Sequence, residues 1–131
     1  MDRPFTLEFH GSYIHITHPP GFVASPENVE ETWTSLAAIC DRYECRNVLV
    51  ETSKMHRRLD TMDAFESGRQ LAQINPPISV ALCFHDYEFD ELSKFFKTVA
   101  QNRGVRVEFF SDAGKAREWL GVDRSAAKDN S

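Results

Sequence analysis

The chain has 131 residues, of which 41% are hydrophobic and 27% charged. This is the composition of one globular domain with a single core. The formal net charge of −5 argues against a general binder of nucleic acid or anionic membranes, because such proteins carry a basic surface. No apolar run approaches the roughly 20 residues that cross a bilayer, and the first residues lack the pattern of a signal peptide. We therefore expect a cytoplasmic protein with no integral membrane segment.

The three cysteines, Cys40, Cys45 and Cys83, fit a reducing compartment. Their number is odd, and their spacing matches neither a disulfide framework nor a CxxC redox motif. We expect all three to be free and structural.

The N-terminal part predicts an antiparallel hairpin. Phe5–His10 alternates between apolar and polar residues, and after Gly11-Ser12 the alternation resumes over Tyr13–His18, with Ile14 and Ile16 facing inward. Its outer face would carry His10, Tyr13, His15 and Thr17.

Ser25-Pro26 predicts the start of a helix, with serine at the N-cap and proline at the first helical position. The helix would run to Tyr43 or Glu44 and present one apolar stripe to the sheet. That stripe comprises Val29, Trp33, Leu36, Cys40 and Tyr43. Asn47–Thr52 is predicted to be a buried strand.

A basic loop, Ser53–Leu59, leads to a second helix that Asp60 or Thr61 would cap. Asn75-Pro76-Pro77 would end this helix, because proline cannot continue it. Its predicted inner face contains Met62, Phe65, Gly68, Leu71 and Ala72.

Ile78–Phe84 is almost wholly apolar and predicts a strand that is covered on both faces. A helix over Glu88–Arg103, a strand over Val105–Phe110 and a helix capped by Ser111 and ended by Gly121 follow. The Phe89, Phe95 and Phe96 rings exceed what one helix stripe needs, which would suit a homodimer contact or a lipid-sized pocket, with core packing as the alternative.

The resulting order is ββαβαβαβα, which predicts an α/β fold. Strands joined through helices imply parallel pairing, and the first hairpin adds an antiparallel member to a mixed five-stranded sheet with four helices. Residues 1–121 would form a single domain and residues 122–131 a polar, mobile tail.

The stretch NRGVRVEFFSDAGKAREWL, from Asn102 to Leu120, resembles the C-terminal unit of STAS-like (anti-sigma-factor-antagonist-like) proteins of bacteria. In that family a helix ending in Arg-Gly leads into a short strand and then a helix closing in Ala-x-x-Trp-Leu, which Ala116, Trp119 and Leu120 match. The resemblance covers roughly Phe5 to Gly121 and implies a STAS-like fold, since the matched residues belong to a turn, a cap and the core.

The resemblance also implies a phosphoacceptor. Signalling members present an Asp followed by a phosphorylated Ser or Thr at a helix N-terminus, and Asp60 and Thr61 occupy that place here. This chain continues with Met62 and Asp63, where the family has a small residue and a glycine. Two acidic neighbours would repel an added phosphate, and a helix cap is the alternative role.

Open α/β sheets bind ligands at the carboxyl ends of their parallel strands. The residues at those ends form the predicted site for a small ligand or a partner, with a solvated loop as the alternative for its basic members. The predicted site comprises Ser53, Lys54, Arg57, Arg58, Asp60, Thr61, His85 and Asp86. Its basic residues and a helix N-terminus would suit an anion or an acidic partner surface.

Metal and cofactor sites are not expected. His10, His15 and His18 lie on one hairpin, but strict alternation puts His15 and His18 on opposite faces, and no HxH or HExxH motif is present. No glycine-rich phosphate loop is present either.

We therefore expect a non-enzymatic regulatory or binding domain that acts through a protein partner or a small apolar or anionic ligand. Two alternatives stay open. One is a small enzyme using Ser53, His85 and Asp86, in which the carboxylate would orient the imidazole. The other is a structural homodimer module.

Overall fold

The computed structural model describes residues 5–122. This part of the chain contains seven strands and four helices. They are β1 (Thr6–Phe9), β2 (Ile14–Thr17), β3 (Val23–Ala24), α1 (Pro26–Tyr43), β4 (Asn47–Ser53), β5 (His56–Arg57), α2 (Thr61–Ala72), β6 (Ser79–His85), α3 (Glu91–Gln101), β7 (Arg106–Phe110) and α4 (Ala113–Leu120).

Five strands form one mixed sheet in the order β1-β2-β4-β6-β7. β1 pairs antiparallel with β2, and every other pair in this sheet is parallel. The predicted α/β class, four helices and mixed five-stranded sheet with an N-terminal hairpin are therefore confirmed. A second, two-stranded sheet of β3 and β5 was not predicted, because strands of two residues leave no periodic signal.

The two faces of the main sheet are covered unequally. Successive side chains of a strand point to opposite faces, and two separate cores result. The larger core joins α1, α2 and α3 to one face, with Leu36, Val50 and Leu82 among its members. The smaller core joins α4 to the other face, through Leu49, Ala81 and Leu120.

Aspartate and serine side chains define where the helices begin. The hydroxyl of Ser25 accepts a hydrogen bond from the backbone N–H of Asn28 at 3.2 Å, as predicted. Asp60 caps α2 in a reciprocal pair with Asp63. The predicted cap at Ser111 is wrong: α4 begins one residue later than expected, so that the Asp112 carboxylate accepts from Gly114 N–H at 2.9 Å.

Some predicted side-chain orientations are wrong. Tyr13 was expected on the outer face of the hairpin but is buried in the smaller core, because α4 and the residues after it cover that end of β2. Met62 was expected on the inner face of α2 but is 69% exposed, while Ala64 and Ser67 are buried instead. The buried stripe of α2 is therefore rotated away from its first turn.

Helices α2 and α3 approach each other closely at Gly68, a position that was correctly assigned to the inner face. A Cβ atom at Gly68 would lie 2.9 Å from Cγ1 of Val99 and 3.1 Å from the backbone oxygen of Phe96. The absence of a side chain therefore sets the separation of these helices.

Val122 follows the last helix and packs into the smaller core, so the folded unit extends one residue beyond the expected boundary. The rest of the expected tail, 123–131, lies outside the described residues. Within 5–122, no helix combines the length and the hydropathy that a membrane-spanning segment would need.

Candidate functional site

A cavity of about 100 Å³ lies where β4 and β6 end, between the sheet and helices α1 to α3. Its wall is predominantly apolar and aromatic. Trp33, Leu82, Phe84, Leu92 and Phe96 contribute to it. An engineered protein cavity of about 150 Å³ with a similar lining stays dry and binds benzene, so the volume suits a single ring or a short aliphatic chain.

The polar side chains in the wall are already hydrogen-bonded to the protein. The indole N–H of Trp33 donates to the hydroxyl of Ser67 at 2.9 Å. The hydroxyl of Thr32 donates to the backbone oxygen of Asn28 at 2.9 Å. These bonds leave an apolar interior, because the polar atoms of Trp33 and Thr32 are directed to the protein.

His18 is the buried histidine of this wall. Its Nδ1 lies 3.1 Å from the hydroxyl of Thr52, and its ring stacks on Phe22 at a centroid distance of 3.8 Å. Burial lowers the pKa of His18 to about 4, so the imidazole is neutral at physiological pH. It contributes an uncharged ring to the wall.

Arg57 links two loops beside the cavity. One guanidinium nitrogen donates to Asp90 at 2.8 Å and to the hydroxyl of Tyr87 at 2.9 Å, and the other donates to the second oxygen of Asp90 at 2.7 Å. Arg57 belongs to the segment between β4 and α2, whereas Tyr87 and Asp90 belong to the segment between β6 and α3. Arg57 and Tyr87 both line the cavity, so this bridge forms the polar part of an otherwise apolar wall.

Asp90 holds two groups with one carboxylate. It accepts both bonds from Arg57 and also accepts from the backbone N–H of Ser93, as the cap of α3. The hydrogen bonds from Arg57 hold the pKa of Asp90 well below its usual range. The bridge is therefore a full ion pair over the physiological pH range.

The surplus of phenylalanines on and before α3 is divided among three environments. Phe96 is buried in the larger core and stacks with Trp33 at a centroid distance of 6.2 Å. Phe89 lies against Phe84 and Phe109 beside the cavity. Phe95 is 37% exposed. Phe96 is therefore a core residue, whereas Phe89 packs on two residues of the cavity wall, Phe84 and Phe109.

The structure separates the residues of the predicted strand-end site. Arg57 lines the cavity. Lys54 and Asp86 lie in turns with φ values of 53° and 60°, and Arg58 is exposed. Ser53 contributes its backbone oxygen, which accepts from Gly21 N–H at 3.1 Å. Asp60 and Thr61 lie at the start of α2, with Thr61 exposed, and the role of Thr61 as a phosphoacceptor stays a prediction.

His85 faces the other side of the sheet from Arg57. Its partner is Glu51 rather than Asp86: Nε2 of His85 lies 2.6 Å from one oxygen of Glu51, while Nε2 of His15 lies 2.8 Å from the other. Burial alone would raise the pKa of Glu51, but hydrogen bonds from His85 and then His15 bring it below its usual value. A carboxylate flanked by two imidazoles thus lies on the sheet face that α4 covers only in part.

Cys83 lies beside this cluster but does not complete a nucleophilic triad. Its sulfur is 3.6 Å from Nε2 of His85, the same nitrogen that contacts Glu51. A triad needs the nucleophile on one imidazole nitrogen and the orienting carboxylate on the other. Burial also raises the pKa of the Cys83 thiol to about 12, which disfavours a reactive thiolate.

Four residues of the apolar cavity and of the Glu51 cluster were not predicted as site residues: His18, Trp33, Asp90 and Glu51. The one local signal was at Asp90, an aspartate two residues before the apolar Leu92, which fits an N-cap. The others act through contacts between distant parts of the chain, for which a single sequence gives no signal.

Comparison with protein-family models and with curated proteins finds no match to this chain.

Proposed function

We propose that this protein is a non-enzymatic, STAS-like binding domain that holds a small, mainly apolar ligand in the cavity at the ends of β4 and β6. The cavity itself carries the proposal. A concave apolar wall with a few convergent polar groups is the usual form of a small-molecule site, and this one lies where open α/β sheets bind ligands.

Arg57 and Tyr87 give the ligand an expected orientation. They are polar side chains of the wall on adjacent loops. A guanidinium binds carboxylates through two parallel hydrogen bonds, and a ligand carboxylate would take over the pair that Arg57 now donates to Asp90. The ligand class that fits both parts of the wall is a small aromatic or short aliphatic acid, with its apolar end between Trp33 and Leu82.

A catalytic role finds less support in the geometry. His85 is paired with Glu51 on the opposite face of the sheet, away from Arg57, and Asp86 lies exposed in a turn. Ser53, the third residue of the alternative enzyme, offers its backbone oxygen to Gly21. The three residues therefore do not converge on one substrate position.

Trp33 provides a direct readout of binding. A Trp119→Phe background leaves Trp33 as the sole tryptophan of the chain, and Trp33 lies in the cavity wall. Titration with benzoate, hexanoate and their alcohol analogues should change its fluorescence and raise the melting temperature. The acids should bind more tightly than the alcohols, and Arg57→Gln should remove that preference while leaving the binding of the alcohols in place.

Two matched variants test the location. Ala64 lines the cavity and is 2% exposed, whereas Ala38 lies on the exposed side of α1. Ala64→Leu should abolish binding by filling the cavity, and Ala38→Leu should leave it unchanged. Binding that survives Ala64→Leu, or a wild-type protein that binds none of the probes, would contradict the proposed function.

A further inference from the structure

The cluster on the opposite sheet face consists of Glu51, Cys83 and His85, with His15 against Glu51. A carboxylate oxygen, the thiol sulfur and an imidazole nitrogen all lie within 4.8 Å of one another. They come from two adjacent parallel strands, in which Glu51 pairs with Cys83 and Ser53 with His85. Three different ligand types therefore converge from positions that are rigidly held by the sheet.

The ligand atoms of this cluster crowd around Nε2 of His85. Nε2 of His85 lies 2.6 Å from Glu51 and 3.6 Å from the sulfur of Cys83, and one N–H can be directed well at only one of them. Nε2 of His15 is directed at the same carboxylate. A cation that displaced the protons of the Cys83 thiol and of His85 Nε2 would meet a thiolate, an imidazole lone pair and a carboxylate in one small region.

The distances fit a zinc ion. Bonds of about 2.3 Å to sulfur and about 2.0–2.1 Å to nitrogen imply a sulfur–nitrogen separation of about 3.5 Å in a tetrahedral site. The separation of Cys83 Sγ and His85 Nε2 is 3.6 Å. The Glu51 oxygen, now at hydrogen-bond distance from His85, would have to move away by about 0.8 Å to take its own tetrahedral position.

We propose that Glu51, Cys83 and His85 form a site for a thiophilic divalent cation, with Zn²⁺ as the fitting ion. Thiolate, imidazole and carboxylate together select zinc over magnesium or calcium, which take oxygen ligands. The His85 side chain is 35% exposed, so an ion could reach the site from solvent on that side. His15 is a positioning residue: it holds the second oxygen of Glu51 at 2.8 Å and orients the carboxylate.

The site was not predicted from the sequence. Its three ligands come from two strands, β4 and β6, and only the register between these strands brings them together. A second cluster, Glu8, His10 and His15, lies on that hairpin. Glu8 and His10 are exposed, and the cluster has no sulfur, so it serves as the natural comparison site.

The test is titration of the metal-free, full-length protein with Zn²⁺ and Co²⁺. We expect one ion per chain, and a cobalt adduct with the near-ultraviolet thiolate-to-metal charge-transfer absorption that only a cysteine ligand gives. His85→Ala and Cys83→Ser should lose binding, and Cys83→Ser should lose the absorption band. His15→Gln should retain the band and weaken binding by about 10- to 100-fold, the usual effect of removing a group that orients a ligand.

Cys45→Ser and His10→Ala are the controls, since both residues lie outside the cluster. Glu51→Gln keeps the shape of the side chain and provides a ligand-deficient variant if Cys83→Ser does not fold, as judged by circular dichroism. A cobalt adduct without the thiolate band would overturn the proposal. The proposal would also be overturned if His85→Ala bound the metal as tightly as the wild type, or if His10→Ala lost metal binding. A wild-type affinity no higher than that of exposed histidines for the same ions would overturn it as well.

Discussion

His15 and His18 lie three residues apart, yet they reach opposite sides of the sheet and opposite chemical environments. His18 is 4% exposed, is stacked on Phe22 and lines the apolar cavity. His15 lies on the face that α4 covers only in part, hydrogen-bonded to an ionised carboxylate. One side of the sheet therefore desolvates its histidine, while the other holds its histidine in a polar cluster.

The difference follows from how many helices cover each face. Three helices on one side leave an apolar cavity, in which the polar groups are hydrogen-bonded to the protein and Arg57 is paired with Asp90. A single short helix on the other side leaves His15, Glu51 and His85 partly exposed, while Cys83 is buried. Each strand of the main sheet supplies side chains to both faces, because successive side chains of a strand point in opposite directions.

The largest expected difference between the faces is in packing energy. Leu71 on α2 is fully buried in the larger core, and Leu120 on α4 is 6% exposed in the smaller one. Leu71→Ala should lower the free energy of unfolding by about 3–4 kcal/mol, and Leu120→Ala by about 2 kcal/mol, because the thinner layer relaxes more easily. Urea denaturation measures both, and equal losses would break the comparison.

The next largest effect is the pH dependence of the helix-covered face. The pKa of His18 is about 4 in the folded protein and 6.5 unfolded, so between these values the unfolded chain binds more protons. Stability should therefore fall as the pH drops from 6.5 towards 4, by up to about 3 kcal/mol, and stay constant above 6.5. Unfolding curves of wild type and His18→Gln at several pH values measure the difference, and parallel profiles would contradict it.

A smaller effect concerns the hydrogen bonds inside the cavity wall. Ser67→Ala would leave the buried indole N–H of Trp33 without its acceptor, which should cost about 1–3 kcal/mol. Adding Trp33→Phe removes the stranded donor, so the double variant should lose less than the sum of the two single losses. A strictly additive double-variant cycle would show that the bond contributes nothing.

The smallest effect lies outside both faces, at the start of α2. Asp60→Ala should cost about 1 kcal/mol through loss of the cap, and exposed Thr61→Ala should change stability by less than about 0.5 kcal/mol. Thermal melts compare the two.

Phosphorylation of Thr61 is tested by incubation with a serine/threonine kinase from the same genome. Labelling that persists in Thr61→Ala would exclude Thr61 as the phosphoacceptor.

Sequence patterns predicted the parts of the fold that depend on neighbouring residues. Ser25-Pro26 marked the start of α1, alternation predicted the hairpin, and the apolar run near Ile78 predicted β6. These signals are local. The order of strands in the sheet was left open and emerged only from the structure.

The candidate sites depend on contacts between distant residues, and their composition was therefore mostly missed. Trp33 meets Ser67, His18 meets Thr52, and Glu51 meets His85, each across 34 residues of sequence. Register between parallel strands decides which of these side chains become neighbours. Of the predicted site residues, Arg57 lines the cavity, and it follows a strand end where the fold class puts ligands.

Asp90 has a consequence for how a ligand would be admitted. Its charge is compensated twice, by Arg57 and by the N-terminal backbone of α3. Under the proposed function, an incoming carboxylate that draws Arg57 away leaves Asp90 still stabilised by the helix dipole. The cap of α3 does not depend on Arg57, so the start of this helix would stay intact while the guanidinium changes its anionic partner.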